Sequence, residues 1–324
     1  MASHAGTHHV SDPEDTEHLP LVLKSGLTRT QVHQIAAGAE IMESPPDRAD
    51  FLHTVMCQVG LPRSRTDART FERQNGHVSI LLEAGKLYDG RDWTDQPLPY
   101  GTIPRLVMVY VSSEAKRTKQ RRIEIGDSIR QFLTALGMQT SGGQRGGYTA
   151  LRRQMEALAA CRLTLGMHAE GRVVTVDAKP IKRFEAWLQQ EGDQRTLWPG
   201  VLELSEDFFN TLTTHAVPLD YRALAALKHS SLALDIYTWL AHRLCRIRSP
   251  GGVQLSWQNL RDQFGQEYGS SKDFKREFRH ALRQVSTVYP QARMSDVAGG
   301  IMLYESRSPL NRTTVSFAIP VSSI

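Results

Sequence analysis

Residues 253–303 read VQLSWQNLRDQFGQEYGSSKDFKREFRHALRQVSTVYPQARMSDVAGGIML, and the order of signals within them decides the fold. VQLS is a short strand, and Ser256 is an N-cap for the helix WQNLRDQFG. A polar loop, QEYGS, leads to a long helix over 271–288, which Tyr289-Pro290 ends. Two strands, ARMSDV and GIMLY, then flank the turn Ala298-Gly299-Gly300. Upstream, Leu232 to Leu244 is an apolar helix running into the cations of AHRLCRIR, before the break at Pro250-Gly251-Gly252. The whole is helix, basic end, strand, helix, loop, helix, hairpin. That order is the winged-helix arrangement, in which the third helix enters a DNA major groove and the hairpin touches the backbone beside it.

The third helix carries the most information. Phe274, Phe278, Leu282 and Val285 recur at helical spacing and form one apolar stripe. Lys272, Lys275, Arg276, Arg279, His280 and Arg283 form a second stripe, displaced by two residues, or roughly 200° around the helix. The positive face therefore points away from the core. Asp273 and Glu277 flank it, within reach of cations three or four residues on. An ordinary solvated face mixes its signs; this stripe has one sign, which suits phosphate and base edges.

The same order of elements occurs about 130 residues earlier. The apolar helix IPRLVMVYVSSEA runs into KRTKQRR at 116–122, the strand RIEI follows, and the next helix is DSIRQFLTALG, capped by Asp127 or Ser128. The Gly-rich loop SGGQRGG leads to the helix GYTALRRQMEALAAC, then to the strands RLTLGMH and RVVTVD around Ala169-Glu170-Gly171. Residue identities repeat poorly, whereas the order repeats well. Leu151, Met155 and Leu158 make the buried stripe of the matching third helix, while Arg145, Tyr148, Arg152 and Arg153 crowd its N-terminal part, where free N–H groups suit phosphate. Lys119, Arg121 and Arg122 of the basic cluster suit either phosphate contact or the dipole at a helix C-terminus.

Elsewhere the expectations are coarser. Residues 1–25, with His4, His8, His9 and His18, read as a flexible polar leader. Helical patterns cover Thr28 to Met42 and Asp47 to Val59; in the second, Phe51, Leu52, Val55, Met56 and Val59 share a stripe. HVSILLE is a strand, and YDGRDWTDQPLPYG a loop. Residues 178–200 form an irregular link, VLELSEDFF a strand entering a helix at Ser205, and DYRALAALK a short bridging helix. The expected fold class is α+β and helix-rich, with two tandem winged-helix domains. Residues 1–46 form an acidic leader with a short helix, residues 47–200 the first domain and residues 201–324 the second.

At 324 residues, with 40% hydrophobic and 23% charged content, the composition is that of a globular protein. Net charge is +5 but unevenly placed. Residues 1–100 hold 9 Lys/Arg against 14 Asp/Glu, a net of −5, and residues 101–324 hold 30 against 20, a net of +10. A basic body suits a polyanion. The three cysteines, Cys57, Cys161 and Cys245, lie far apart among apolar neighbours and read as buried hydrophobes. No apolar run reaches membrane length and the first twenty residues lack a signal-peptide core, so a cytoplasmic, membrane-free protein is expected. GGQRGGYT at 142–149 has P-loop glycine spacing, but Tyr148 stands where the lysine belongs. With no metal cluster and no nucleophile–base pair in the sequence, no catalytic residue, metal or cofactor is expected.

Longer stretches carry a family resemblance. FERQNGHVSILLEAG, LPYGTIPRLVMVYVSSEAKRT, IEIGDSIRQFLTALGMQTSGG, LRRQMEAL, VLELSEDFF, AVPLDYRALAALKHSSLALDIYTWLAHRL and FKREFRHALRQVSTVYPQA occur in that order. From about Phe51 to Tyr304 the chain resembles the RepA-type replication initiator proteins of bacterial plasmids. The resemblance implies binding to repeated double-stranded origin sequences (iterons), duplex opening, and recruitment of host initiation and helicase-loading proteins. It also implies a monomer that initiates and a homodimer, supported by the first domain, that represses and controls copy number. The implied reading helix is Lys272 to Arg283, with Arg145 to Arg153 as its first-domain counterpart. A winged-helix repressor without initiator activity and a nucleic-acid-processing enzyme are the alternatives.

Overall fold

The computed structural model describes residues 26–310, apart from 89, 126–131, 135, 137, 139–145, 170, 178–180, 182 and 192–193. The fold is α+β, built from helices and small antiparallel sheets. Its first element among the described residues is α1 (Arg29–Glu43), entered through a capping box in which the Thr28 side chain and Gln31 satisfy each other's backbone N–H groups. Its buried face is Gln34, Ala37, Gly38 and Ile41. Gly38 is where α1 crosses another helix, because any side chain there would run into the Thr287 carbonyl.

The expected helix over Asp47 to Val59 is instead a strand, β1 (Ala49–His53), followed by a short helix, α2 (Thr54–Gln58). The stripe of Phe51, Leu52, Val55, Met56 and Val59 is buried as expected. The first two of these residues, however, lie in a ladder with β11 (Ala216–Asp220). Pairing with a strand some 165 residues away overrides a local period that fits either element. His53 ends the strand and caps α2, its Nδ1 accepting from Val55 N at 3.2 Å.

Strands β2 (Thr70–Asn75) and β3 (Val78–Glu83) form a hairpin. The expected loop that follows contains a second, small hairpin, β4 (Lys86–Tyr88) with β5 (Trp93–Asp95). Helix α3 (Thr102–Thr118) is buried along most of its length, including Arg105, Ser112 and Ser113. It packs against β1 and against α4 (Gly147–Ala160). The expected helix DSIRQFLTALG, its caps Asp127 or Ser128, and the loop SGGQRGG lie largely outside the described residues; 132–134 are helical. Leu151, Met155 and Leu158 of α4 are buried, as their stripe requires.

After α4 the chain forms β7 (Arg162–Ala169) and β8 (Arg172–Asp177). These join the β2–β3 hairpin in one sheet ordered β2-β3-β7-β8. The link read as irregular over 178–200 contains two long strands, β9 (Arg183–Glu191) and β10 (Gln194–Glu203), and β10 takes β6 (Arg122–Glu124) on its other edge. Gly and Pro within this stretch hid its strand character, and the bulge between Pro199 and Val201 absorbs Pro199-Gly200.

The remaining elements follow the sequence closely. Helices α5 (Glu206–Thr214), α6 (Tyr221–Leu227) and α7 (Ser231–Arg243) are capped by Ser205, Asp220 and Ser230. Strand β12 (Val253–Ser256), α8 (Trp257–Phe264), α9 (Ser271–Val288), β13 (Met294–Val297) and β14 (Gly300–Leu303) complete the second half. Its sheet is ordered β12-β14-β13, so the strand before α8 closes directly on the hairpin after α9. That closure defines a winged helix.

The halves meet through a buried ionic network. Arg105 of α3 makes a bidentate pair with Asp235 of α7, at 2.7 and 2.8 Å, and donates to the carbonyls of Leu61, Pro62 and Gly101. Arg63 lies 3.7 Å from the same carboxylate. Glu267, in the turn between α8 and α9, accepts from Arg73 of β2 at 3.0 Å and from the backbone N–H groups of Arg63 and Ser64. Burial alone would raise the Glu267 pKa, but Arg63, Ser64 and Arg73 outweigh it and hold the carboxyl below its ordinary value.

Candidate nucleic-acid interface

Helix α9 begins with Ser270 as N-cap, its hydroxyl accepting from Asp273 N at 3.1 Å. Phe274, Phe278, Ala281, Val285 and Val288 are buried and Leu282 is partly buried, so the apolar stripe is the packed face. Beneath it, Phe278 meets Trp257 edge-on at 6.0 Å, with Phe264 5.6 Å and Phe274 5.5 Å away. These rings pin the helix against α8, and α1 and α7 pack along it as well. The N-terminal two-thirds of its opposite face stays accessible: Lys272, Arg276, His280 and Arg283 are exposed, and Lys275 and Arg279 are half-buried.

The cations of this face differ in their partners. Arg276 pairs with Asp273 at 2.9 Å and with Glu277 at 2.9 Å, both on its own helix and all well exposed. The hydrogen bond that Arg276 donates to Glu277, followed by the charge of Asp273, raises the Arg276 pKa. Arg279 instead reaches across to the wing, its Nε 2.6 Å and Nη2 3.1 Å from the two oxygens of Asp296 in β13. Its guanidinium also lies over the Trp257 ring at 4.6 Å, and Lys275 Nζ stands 5.8 Å from the same ring. Hydrogen bonding between Arg279 and Asp296 holds the carboxyl below its ordinary pKa and the guanidinium above its own. Lys272, Lys275 and Arg283 make no ion pair among the described residues, and His280 meets only Gln284, at 3.3 Å.

The wing itself is short. Gly299 adopts φ 83° at its tip, and Gly300 sits so close to the Leu255 carbonyl that a side chain would collide with it. Trp257 N donates to Gly299 O at 3.0 Å, so the tip is fastened to the start of α8.

The first-half candidates are more dispersed. Arg153 is exposed, Tyr148 and Arg152 are half-buried on α4, and Arg145 lies outside the described residues. Glu156 shares this helix; burial raises its pKa while Arg152 and Arg153 lower it. Helix α4 packs on α3 and β4, whereas α9 packs on α1, α6, α7 and α8. Several cations of 116–122 are engaged locally. Lys116 donates to Thr213 O at 3.1 Å, Arg117 pairs with Glu114, and Arg121 lies 3.6 Å from Glu206. Lys119 is exposed at the αL C-cap of α3, with φ 57°, and Arg122 is exposed on β6.

The structure thus brings Lys275, Arg279, Trp257 and Asp296 into one cluster at the junction of α9 and the wing. Trp257 and Asp296 were not among the residues singled out from the sequence. Trp257 directly follows the N-cap Ser256, a position that places it beside α9 once the wing closes. No local signal marks the Arg279–Asp296 pair, whose members stand 17 residues apart.

Among the described residues no group of His, Cys, Asp or Glu could hold a metal ion, and no helix is long and apolar enough to cross a membrane. The three cysteines are free; Cys57 and Cys161 are buried.

The class defined by these features is an α+β winged-helix protein with a cationic third helix. Among solved structures, the chain is similar to selenomethionine derivatives of domain 2 and domain 3 of RctB. The likeness has a TM-score of 0.47 and 12% identity, covering 77% of this chain and 95% of that one. No curated protein matches. The family model described as plasmid-encoded RepA protein matches residues 98–259. The chain belongs to this family, and it is accordingly a plasmid replication initiator.

Proposed function

We propose that the chain initiates replication by binding repeated double-stranded sequences in a plasmid origin and recruiting host initiation and helicase-loading proteins. Two DNA-gripping units, 47–200 and 201–324, carry the binding. The observation that carries this reading is the exposed cation face of α9, backed by an aromatic core and flanked by a closed wing. Lys272, Lys275, Arg276, Arg279, His280 and Arg283 are the second-unit contacts. Arg145, Tyr148, Arg152 and Arg153, with Lys119, Arg121 and Arg122, are the weaker first-unit contacts. The role is non-catalytic and cytoplasmic, with a monomer active at the origin and a homodimer in repression.

The test is binding to duplexes taken from the plasmid origin, measured over a range of salt. Each phosphate contact removed flattens the slope of log K against log[salt] by roughly 0.9. Replacing Lys275, Arg276 and Arg279 together by Ala is expected to weaken binding strongly and flatten the slope. Unchanged affinity in that variant would overturn the assignment of α9. Footprints on origin DNA should show protection repeating near multiples of a helical turn.

A further inference from the structure

The geometry points to Arg279 as a guanine-reading residue of α9, aligned for that task by Asp296 of the wing and Trp257 of α8. This deepens the proposed DNA binding and rests on it.

A guanidinium has five N–H donors in a rigid plane and can present two forks, one from Nε and Nη2 and the other from Nη1 and Nη2. In Arg279 the first fork is filled: Nε and Nη2 meet the two oxygens of one carboxylate, Asp296, at 2.6 and 3.1 Å. The plane is further set by the Trp257 ring, 4.6 Å from the guanidinium carbon. Trp257 is itself nearly buried and fastened edge-on to Phe278. The side chain is thus held from two directions by two other elements. The second fork, Nη1 and Nη2, keeps two parallel N–H donors directed away from Asp296. That is the pattern guanine accepts at O6 and N7 in the major groove. Because the side chain is already ordered, little rotamer entropy remains to be lost on contact.

Arg276, one turn away, provides the internal contrast. Its Nε goes to Glu277 and its Nη1 to Asp273, so both forks are engaged by separate, exposed carboxylates of the same helix. No ring lies against it among the described contacts. Such a side chain can swing to a phosphate, as can the ammonium groups of Lys272 and Lys275. A carboxylate beside a cation meant only for phosphate would subtract from binding. Beside a base reader it costs attraction but fixes direction.

The two roles give opposite results when Asp296 is changed. The experiment selects duplexes from a pool with a randomised central segment, using the full-length chain, and then measures affinity and salt slope for the enriched sequence and its single-base variants. With the wild-type chain, one guanine is expected to be preferred about 5- to 150-fold over other bases at its position, the range for a bidentate contact. Arg279→Lys keeps the charge but loses the planar fork, and should erase that preference with the salt slope preserved. Asp296→Asn should also lower the preference. If Asp296→Asn instead tightens binding to every duplex and steepens the slope by roughly 0.9, Arg279 is a phosphate contact and the inference is overturned. The inference also falls if Arg279→Lys enriches the same sequence as the wild type, while DNA binding by α9 survives that result. A wild-type chain that retains no duplex at all would overturn the proposed function itself. Either variant alone decides the point should the other fail to fold.

Discussion

In the second half, β12 closes on its own hairpin, so α8, α9 and the wing form one strand-closed unit of about 50 residues. In the first half the same order of elements is wired differently. Strand β6 leaves its hairpin to pair with β10, and the hairpin β7–β8 is absorbed into a four-stranded sheet through β3. One edge of β7 is therefore covered, and this hairpin is a structural wall more than a free wing. The comparison teaches that an order of elements constrains a topology without selecting its strand partners. Added strands supply other edges: β3 pairs with β7 over six residues, and β10 pairs with β6 over three. It also separates two kinds of third helix: α9 has an exposed cationic stripe flanked by Asp273 and Glu277, with a wing carboxylate directed at it, whereas α4 carries fewer cations and keeps Glu156 among them.

The most severe way to break the comparison is to unlock the halves. Asp235 faces both Arg105 and Arg63 in the interior, and removing one partner of a buried pair leaves uncompensated charge. Asp235→Ala should cost about 3–5 kcal/mol in urea unfolding. It should also split one transition into two if the network is what couples the halves.

The next test uses pH. His53 is buried at the β1–α2 junction, stacked on Phe208 at 5.5 Å, and burial, aided by His215, pushes its pKa down to about 4. Between pH 6.5 and 4 the unfolded chain takes up a proton that the folded chain refuses, so stability falls with pH across that interval and is complete above it. Asp50 works in the opposite sense. Burial pushes its pKa up to about 6, so its folded form keeps a proton that the unfolded chain releases, and stability falls as pH rises toward 6. His53→Asn preserves a capping acceptor and leaves Asp50 in place. Its unfolding free energy should lose about 3 kcal/mol less than wild type between pH 6.5 and 4.

Smaller effects sharpen the contrast between the two third helices. Helix α9 has a side-chain cap and α4 has none, its N-cap being Gly146 in extended backbone. Ser270→Ala should destabilise by about 1 kcal/mol. Gly146→Ser should stabilise by only a few tenths of a kcal/mol, because glycine is a tolerable N-cap. Thermal melts resolve both signs, and a gain at Gly146 equal to the loss at Ser270 would mean that α4 lacks its cap at a greater cost than its packing suggests.

Much of this was legible before any coordinates. The cap at Ser256 and the helix start at Ser205 can be read because a cap is a contact between residues three apart, whereas the caps Asp220 and Ser270 were recognised only in the structure. The faces of α4 and α9 can be read because helical spacing is local. Residues 47–59 and 178–200 could not be read correctly, since the first period fits strand or helix and the second stretch is broken by Pro and Gly. In both, a long-range ladder decides the element.

The same division holds at the candidate site. Composition and spacing alone determined that this is an α+β chain with a basic body and that α9 carries a positive face opposite its core; the family resemblance lay in runs of eight to twenty-nine residues. Which strands pair, how the two halves lock through Arg105, Asp235 and Glu267, and which cations meet a partner were decided only in three dimensions. Local sequence encodes what lies within one helical turn. Arg279 meeting Asp296 over Trp257 requires the wing to have closed first.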